Sequence, residues 1–136
     1  MIVLGIESSC DETGVALVKN GKQVLANIVA SSLKLHSKYG GVIPEIASRM
    51  QLESIAGVFS EALKVARISP EQIDLVSLTV KPGLPGSLLV GISFANSLAF
   101  ALKKPLIPVD HVKAHIYANY LVDHAKDDGR HSQHVA

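Results

Sequence analysis

Apolar and polar positions along the chain change period at clear boundaries. Ile2 to Ser8 is a near-continuous apolar run, the pattern of a strand buried on both sides. Gly14 to Lys19 reads as a second strand, and Gln23 to Ser31 as a third. Asn20-Gly21 between them predicts a two-residue hairpin, because both positions tolerate positive φ. The opening is therefore an antiparallel meander. A polar loop, Lys34 to Val42 with Gly40-Gly41, precedes Pro44, which suits the first turn of a helix. Ile46, Ala47, Met50, Ile55, Val58, Phe59, Ala62, Leu63 and Ala66 then recur at helical spacing, predicting a long amphipathic helix ending near Arg67.

Ser69-Pro70-Glu71-Gln72 reads as a capping box around one short turn. Ile73 to Val80 is the fourth strand. The Pro/Gly loop Lys81 to Gly86 leads into a helix running to Lys103, with Ser87 as its expected N-cap. Gly91, Ser93, Ala95 and Ser97 allow close approach by a neighbour. Leu106 to Val109 is a short fifth strand, and His111 to about Asp123 a third helix.

The order β-β-β-α-β-α-β-α predicts an α/β ribonuclease H-like lobe, the type also seen in each half of the actin and sugar-kinase fold. Its mixed sheet has five strands, with helices on both faces, and two crossover units should be parallel. Residues 1–122 form this lobe. Residues 123–136 are polar and aperiodic and read as a flexible tail.

Composition narrows the setting. The chain has 136 residues, 48% of them hydrophobic, which is enough for one core. A net charge of +1 and the lack of a Lys/Arg run predict no DNA binding and no broad attraction to nucleic acid. The single cysteine, Cys10, excludes an internal disulfide and fits a reducing, cytoplasmic setting. No basic segment precedes Met1-Ile2-Val3-Leu4, so a signal peptide is not expected. Leu88 to Leu102 is interrupted by Gly91, Ser93, Asn96 and Ser97, which suits a buried helix better than a membrane span.

The chemistry concentrates in two places. Asp110-His111-Val112-Lys113-Ala114-His115 holds histidines at i and i+4, one turn apart on one helix face, a spacing that lets both imidazoles bind one metal ion. Six histidines also make an accidental pair of this spacing easy. A zincin-type protease would carry Glu directly after the first His; Val112 stands there. Two histidines leave an ion short of the usual three protein ligands. The second place is Glu7-Ser8-Ser9-Cys10-Asp11-Glu12-Thr13-Gly14, which joins the first two strands. In actin-like folds this hairpin holds nucleotide phosphates on small residues and backbone N–H groups. It could equally be an ordinary acidic turn. Cys10 is expected to be a small, buried or half-buried residue and no nucleophile. His36-Ser37-Lys38-Tyr39-Gly40-Gly41 is either a substrate loop or a surface connection. Pro82 to Ser87 lacks the Lys-Ser/Thr ending of a P-loop.

Four segments together resemble one family. Leu4 to Gly14, Tyr39 to Arg49, Pro82 to Gly91 and Asp110 to His115 look like the ordered motifs of the TsaD family of tRNA threonylcarbamoyladenosine transferases, long described as glycoproteases or O-sialoglycoprotein endopeptidases. The resemblance covers about residues 1–122. It implies transfer of a threonylcarbamoyl group from threonylcarbamoyl-AMP to N6 of a tRNA adenosine, with a nucleotide (that adenylate, or ATP) between two lobes. By resemblance, His111 and His115 are ligands of one iron or zinc ion, and Asp11 and Glu12 are catalytic residues facing the nucleotide cleft. Ser9, Cys10 and Thr13 are the ligand-binding positions of the turn.

Three departures stand out: Lys81 where the family has Gly, Gln51 where it has His, and no second lobe. The sequence therefore resembles an N-terminal lobe only, expected to be inactive alone. It should pair through exposed apolar surface with itself or with a same-fold paralogue. A non-catalytic pairing module is the alternative, and a metal-dependent glycoprotease a weaker one.

Overall fold

The computed structural model describes residues 1–31, 40–121 and 132–135. Three strands open the chain: β1 (Ile2–Glu7), β2 (Glu12–Lys19) and β3 (Gln23–Ser31). They pair antiparallel, as expected. Asn20 and Gly21 take φ of 53° and 70°, the positive values of a primed turn. The ladder resumes at Lys19 opposite Gln23, so Lys22 joins the connection, and a register shift follows at Leu17/Val18. The hairpin is thus one residue longer than the dipeptide alone suggests.

Helix α1 (Pro44–Ala66) begins at the proline that predicts it and ends at Arg67, which takes φ 54° in the left-handed region. At the short 3-10 turn Pro70–Gln72, Gln72 Oε1 accepts the Ser69 backbone N–H at 2.9 Å, completing one arm of the capping box. Strand β4 (Leu75–Lys81) leads through the Pro/Gly loop to α2 (Pro85–Leu102). Strand β5 (Leu106–Asp110) runs directly into α3 (His111–Ala118). Both crossovers return parallel, β4 beside β1 and β5 beside β4.

The sheet order is β5-β4-β1-β2-β3-β6, where β6 (Ser132–Val135) pairs parallel with the outer edge of β3. The five expected strands are present, and the sixth comes from the stretch read as a flexible tail. That stretch lacks apolar alternation, and backbone pairing to a free edge needs none. The rest of the expected tail, and the loop residues His36 to Tyr39, lie outside the described residues. Helix α3 ends before the expected Asp123.

Alternation along the strands divides the sheet into two faces. Leu4, Ile6, Thr13, Val15, Leu17, Ala26, Ile28, Val76 and Leu78 are buried. Helices α1 and α2 cover that face and meet through Phe59 and Phe94, edge to face at 5.8 Å. The α2 segment is 18 residues long and, contrary to expectation, apolar enough to cross a membrane by length and composition. Here it lays Ser87, Gly91, Ala95 and Ala99 on the fold. The other face carries small or polar residues, among them Gly5, Glu7, Gly14, Ala16 and Ser77. Helix α3 lies along part of it and buries no residue completely.

Close approach of α2 depends on Gly91. A Cβ there would lie 2.3 Å from Ser8 Oγ, in a pair of residues with no room to give, since Ser8 is buried and donates to Ser87 O at 2.8 Å. Gly57 in α1 meets nothing within 4 Å. The same substitution should therefore have opposite signs at the two sites. Gly91→Ala should cost about 1–3 kcal/mol through overpacking. Gly57→Ala should stabilise by about 0.5–1 kcal/mol through helix propensity. Urea unfolding of both variants checks this; equal shifts would contradict the packing described.

Candidate metal and ligand site

The turn between β1 and β2 is tied from behind by donors distant in sequence. Leu84 N donates to Ser9 O at 2.7 Å. Ser87 Oγ donates to Cys10 O at 2.9 Å. Gln51 Nε2 donates to both Cys10 O and Glu12 O, each at 3.0 Å. Gln51 and Ser87 are buried. Ser87 therefore fastens the turn and does not cap α2, whose N-cap position is Leu84. Gln51, which replaces the histidine suggested by resemblance, uses one amide to hold two carbonyls. Its Oε1 is buried without a hydrogen-bond partner among the described residues. Gly83 packs on the same turn so tightly that a Cβ would lie 2.5 Å from Ser9 O.

The histidine pair comes from the end of β5. Asp110 Oδ1 accepts the backbone N–H groups of Val112 at 3.0 Å and Lys113 at 3.2 Å, capping α3 at its start. His111 and His115 then face each other, Nε2 to Nε2 at 3.0 Å. The other nitrogen of His111, Nδ1, lies 3.2 Å from Glu7 Oε2 and 3.3 Å from Ser9 Oγ. Glu7 Oε1 accepts Ser9 N at 2.6 Å, and Thr79 Oγ1 donates to Oε2. Burial pushes the Glu7 carboxyl up. Hydrogen bonds from Ser9, Thr79 and His111 outweigh this and hold it below the ordinary carboxylate value.

Beside these residues an open groove of roughly 380 Å³ runs on the second face of the sheet, at the lower end of the range of ligand sites. Glu7, Glu12, Thr79, His111 and His115 line it, over a floor that includes Gly5, Gly14 and Ala16. The structure thus brings together four of the residues singled out in sequence: Ser9, Glu12, His111 and His115. Thr13 is buried toward α1, with Ser54 Oγ 3.4 Å from its hydroxyl, and Asp11 is half-buried but does not line the groove. Cys10 is exposed, not buried or half-buried as expected, because its carbonyl and not its side chain is held inward. Desolvation and Asp11 push its thiol up, away from nucleophile chemistry. Glu7 was not singled out from the sequence; the signal for it is an acid closing an otherwise apolar buried strand.

The donor set fits a metal in part. Two imidazole nitrogens on one ion, each at about 2.0–2.1 Å, lie about 2.9–3.4 Å apart for angles of roughly 90–109°, and the observed 3.0 Å falls within that span. A carboxylate on the far nitrogen of a ligating histidine is the usual supporting arrangement. Among the described residues no group of three or more His, Cys, Asp or Glu is placed to hold an ion, so the site offers two donors.

Fold and site define a ribonuclease H-like lobe with a His-x-x-x-H helix beside a hydroxyl-rich turn. Solved structures share the fold. YeaZ from Pseudomonas aeruginosa superposes with TM-score 0.60 at 21% identity, covering 80% of this chain and 43% of that one. RuvC of T. thermophilus, in complex with a Holliday junction substrate, gives TM-score 0.54 at 16% identity over 85% of this chain and 68% of that one. Residues 23–136 match the model of the TsaD family, tRNA N6-adenosine threonylcarbamoyltransferase, and the chain belongs to that family. Curated relatives of that name agree. The one from Symbiobacterium thermophilum is 59% identical over 122 residues, and the one from Fusobacterium nucleatum 53% over 121. Those alignments cover 90% and 89% of this chain and 36% of each relative. The chain spans about a third of the length of the curated relatives it matches.

The turn's fastening gives a direct prediction. Gln51→Leu keeps the volume and removes the Nε2 donor from Cys10 O and Glu12 O, while Ser87 Oγ still holds Cys10 O, and it also removes one unpartnered buried oxygen. A net loss of about 1–3 kcal/mol is expected, with faster amide exchange across residues 9–13. Unchanged unfolding and exchange would show that the amide does not hold the turn.

Proposed function

We propose that this chain is the metal-bearing lobe of a tRNA N6-adenosine threonylcarbamoyltransferase, acting on threonylcarbamoyl-AMP and tRNA in the cytoplasm. The observation that carries the reading is the His111–His115 contact, Nε2 to Nε2, with Glu7 on the far nitrogen of His111. Both histidines line the same groove as Glu12. His111 and His115 would hold one divalent ion, iron or zinc. Such an ion, when bound, supplies Lewis-acid polarisation of an acyl group and an anchor for its oxygen atoms.

The chain's own residues do the rest. The fastened turn presents Glu12 at one end of the groove, where an acceptor amine would be oriented, and holds Asp11 beside it but outside the groove lining. Glu12 is the better placed of the two acids to take up a proton, since it lines the groove. A bound nucleotide would lie against the accessible part of the turn, Cys10 to Glu12; Thr13, buried toward α1, would not reach it.

Two donors and one open groove do not make a closed catalytic site, so the 136-residue chain assayed alone should not turn over. A third ligand and the facing wall would come from outside these 136 residues: a further stretch of the same protein, a second copy, or a partner of the same fold. Exposed Val112, Ile116, Tyr117 and Tyr120, on or just after α3 on the groove side of the sheet, offer the surface for it. The same exposed surface favours the second reading, a pairing module without chemistry. The histidine pair tells against it.

Metal analysis of untagged chain beside the His111→Ala/His115→Ala variant separates the two. The metal reading expects near-stoichiometric iron or zinc, lost in the variant. A chain that never takes up metal, even with zinc or iron supplied in excess, overturns it. In a threonylcarbamoyl-transfer assay with tRNA, the chain alone should show no multiple turnover, and sustained turnover would sink the incomplete-site account.

A further inference from the structure

We propose that Glu7 is the positioning residue of this site: it fixes His111 as the Nδ1–H tautomer and so presents the Nε2 lone pair toward His115. The proposal rests on the reading of the histidine pair given above. Glu7 is the last residue of β1 and points to the groove face. Its Oε1 accepts Ser9 N at 2.6 Å; its Oε2 accepts the Thr79 hydroxyl and lies 3.2 Å from His111 Nδ1. Ser9 and Thr79 are themselves buried, so the carboxylate is held in place from two sides.

A carboxylate only accepts hydrogen bonds, so the imidazole nitrogen beside it has to donate. Ser9 Oγ, 3.3 Å from the same nitrogen, can share that hydrogen. The proton count then runs outward. With its hydrogen on Nδ1, neutral His111 has only a lone pair on Nε2. The 3.0 Å contact to His115 Nε2 therefore needs a hydrogen from His115. The metal-free arrangement is His115 Nε2–H to His111 Nε2, and His111 Nδ1–H to Glu7 Oε2.

Binding one divalent ion between the rings requires lone pairs on both Nε2 atoms. His111 already has its lone pair and keeps its proton. His115 must give up its Nε2 proton to solvent and take one back on Nδ1, so the two rings have unequal tasks. His111 is the fixed ligand, set by Glu7, and His115 the ligand that adapts. No net proton is released when both rings stay neutral.

The test reads tautomers by ¹⁵N-correlated histidine NMR on metal-free chain, and zinc affinity by competition with a chelating dye. In the natural sequence His111 should be predominantly Nδ1–H and His115 Nε2–H. In Glu7→Gln the amide can donate as well as accept, so His111 should shift toward Nε2–H, with zinc affinity down about 10–100-fold. Thr79→Val, which removes a bond to the carboxylate but leaves it in place, should keep the Nδ1–H tautomer. A merely structural role for Glu7 would move stability in both variants without moving the tautomer. His111 found as Nε2–H in the natural sequence overturns the proposal, whether or not Glu7→Gln folds; so does an unchanged tautomer in a folded Glu7→Gln. If His111 is Nδ1–H but zinc never binds, the Glu7 assignment stands and the metal reading falls.

Discussion

The candidate site of this chain hangs on how one short turn is held. The carbonyls of Ser9, Cys10 and Glu12 are taken up by Leu84 N, Ser87 Oγ and Gln51 Nε2. These donors come from the loop before α2, from α2 itself and from α1. Buried acceptors that lose such partners cost about 1–3 kcal/mol each, so the turn cannot relax without disturbing two helices. On its other side the same turn and the end of β1 carry Glu7 and Ser9, which both lie within hydrogen-bond reach of His111 Nδ1. Four stretches separated by dozens of residues are therefore one contact network, with the sheet between its scaffold half and its chemical half.

That division explains the distribution of residue types. The face under α1 and α2 is branched and apolar, as packing against helices demands. The opposite face is floored with Gly5, Gly14, Ala16 and Ser77 and is left open beside α3. Small residues there lower the floor and leave space over the sheet. Helix α3 is held at its start by the Asp110 cap and at His111 by Glu7, and little else of it is buried. An element so lightly packed belongs to the low-stability end of the structure, where local opening costs least.

Most of the framework could be read from the pattern of residues. The meander, Asn20-Gly21, Pro44 as helix start and the two parallel crossovers follow from local rules of period and turn chemistry. The histidine spacing and the acidic turn were visible too, and the fold brings Ser9, Glu12 and the histidines together. What local rules could not show was long-range. Ser87 looks like a helix cap because its sequence neighbours say so, yet its hydroxyl is claimed by Cys10 O across the fold. Cys10 looks buried by residue type but sits outside, because the backbone there is turned inward. Glu7 looks like an interruption of a strand until Thr79 and His111 stand beside it. Strand β6 carries no alternation, only backbone pairing with an open edge.

The most direct measurement is a crystal structure of the chain soaked in zinc, with anomalous data collected at the zinc edge. The account predicts one peak at about 2.0–2.1 Å from Nε2 of both His111 and His115, with Glu7 still on His111 Nδ1. A peak elsewhere, or His111 turned to ligate through Nδ1 with Glu7 displaced, would contradict it.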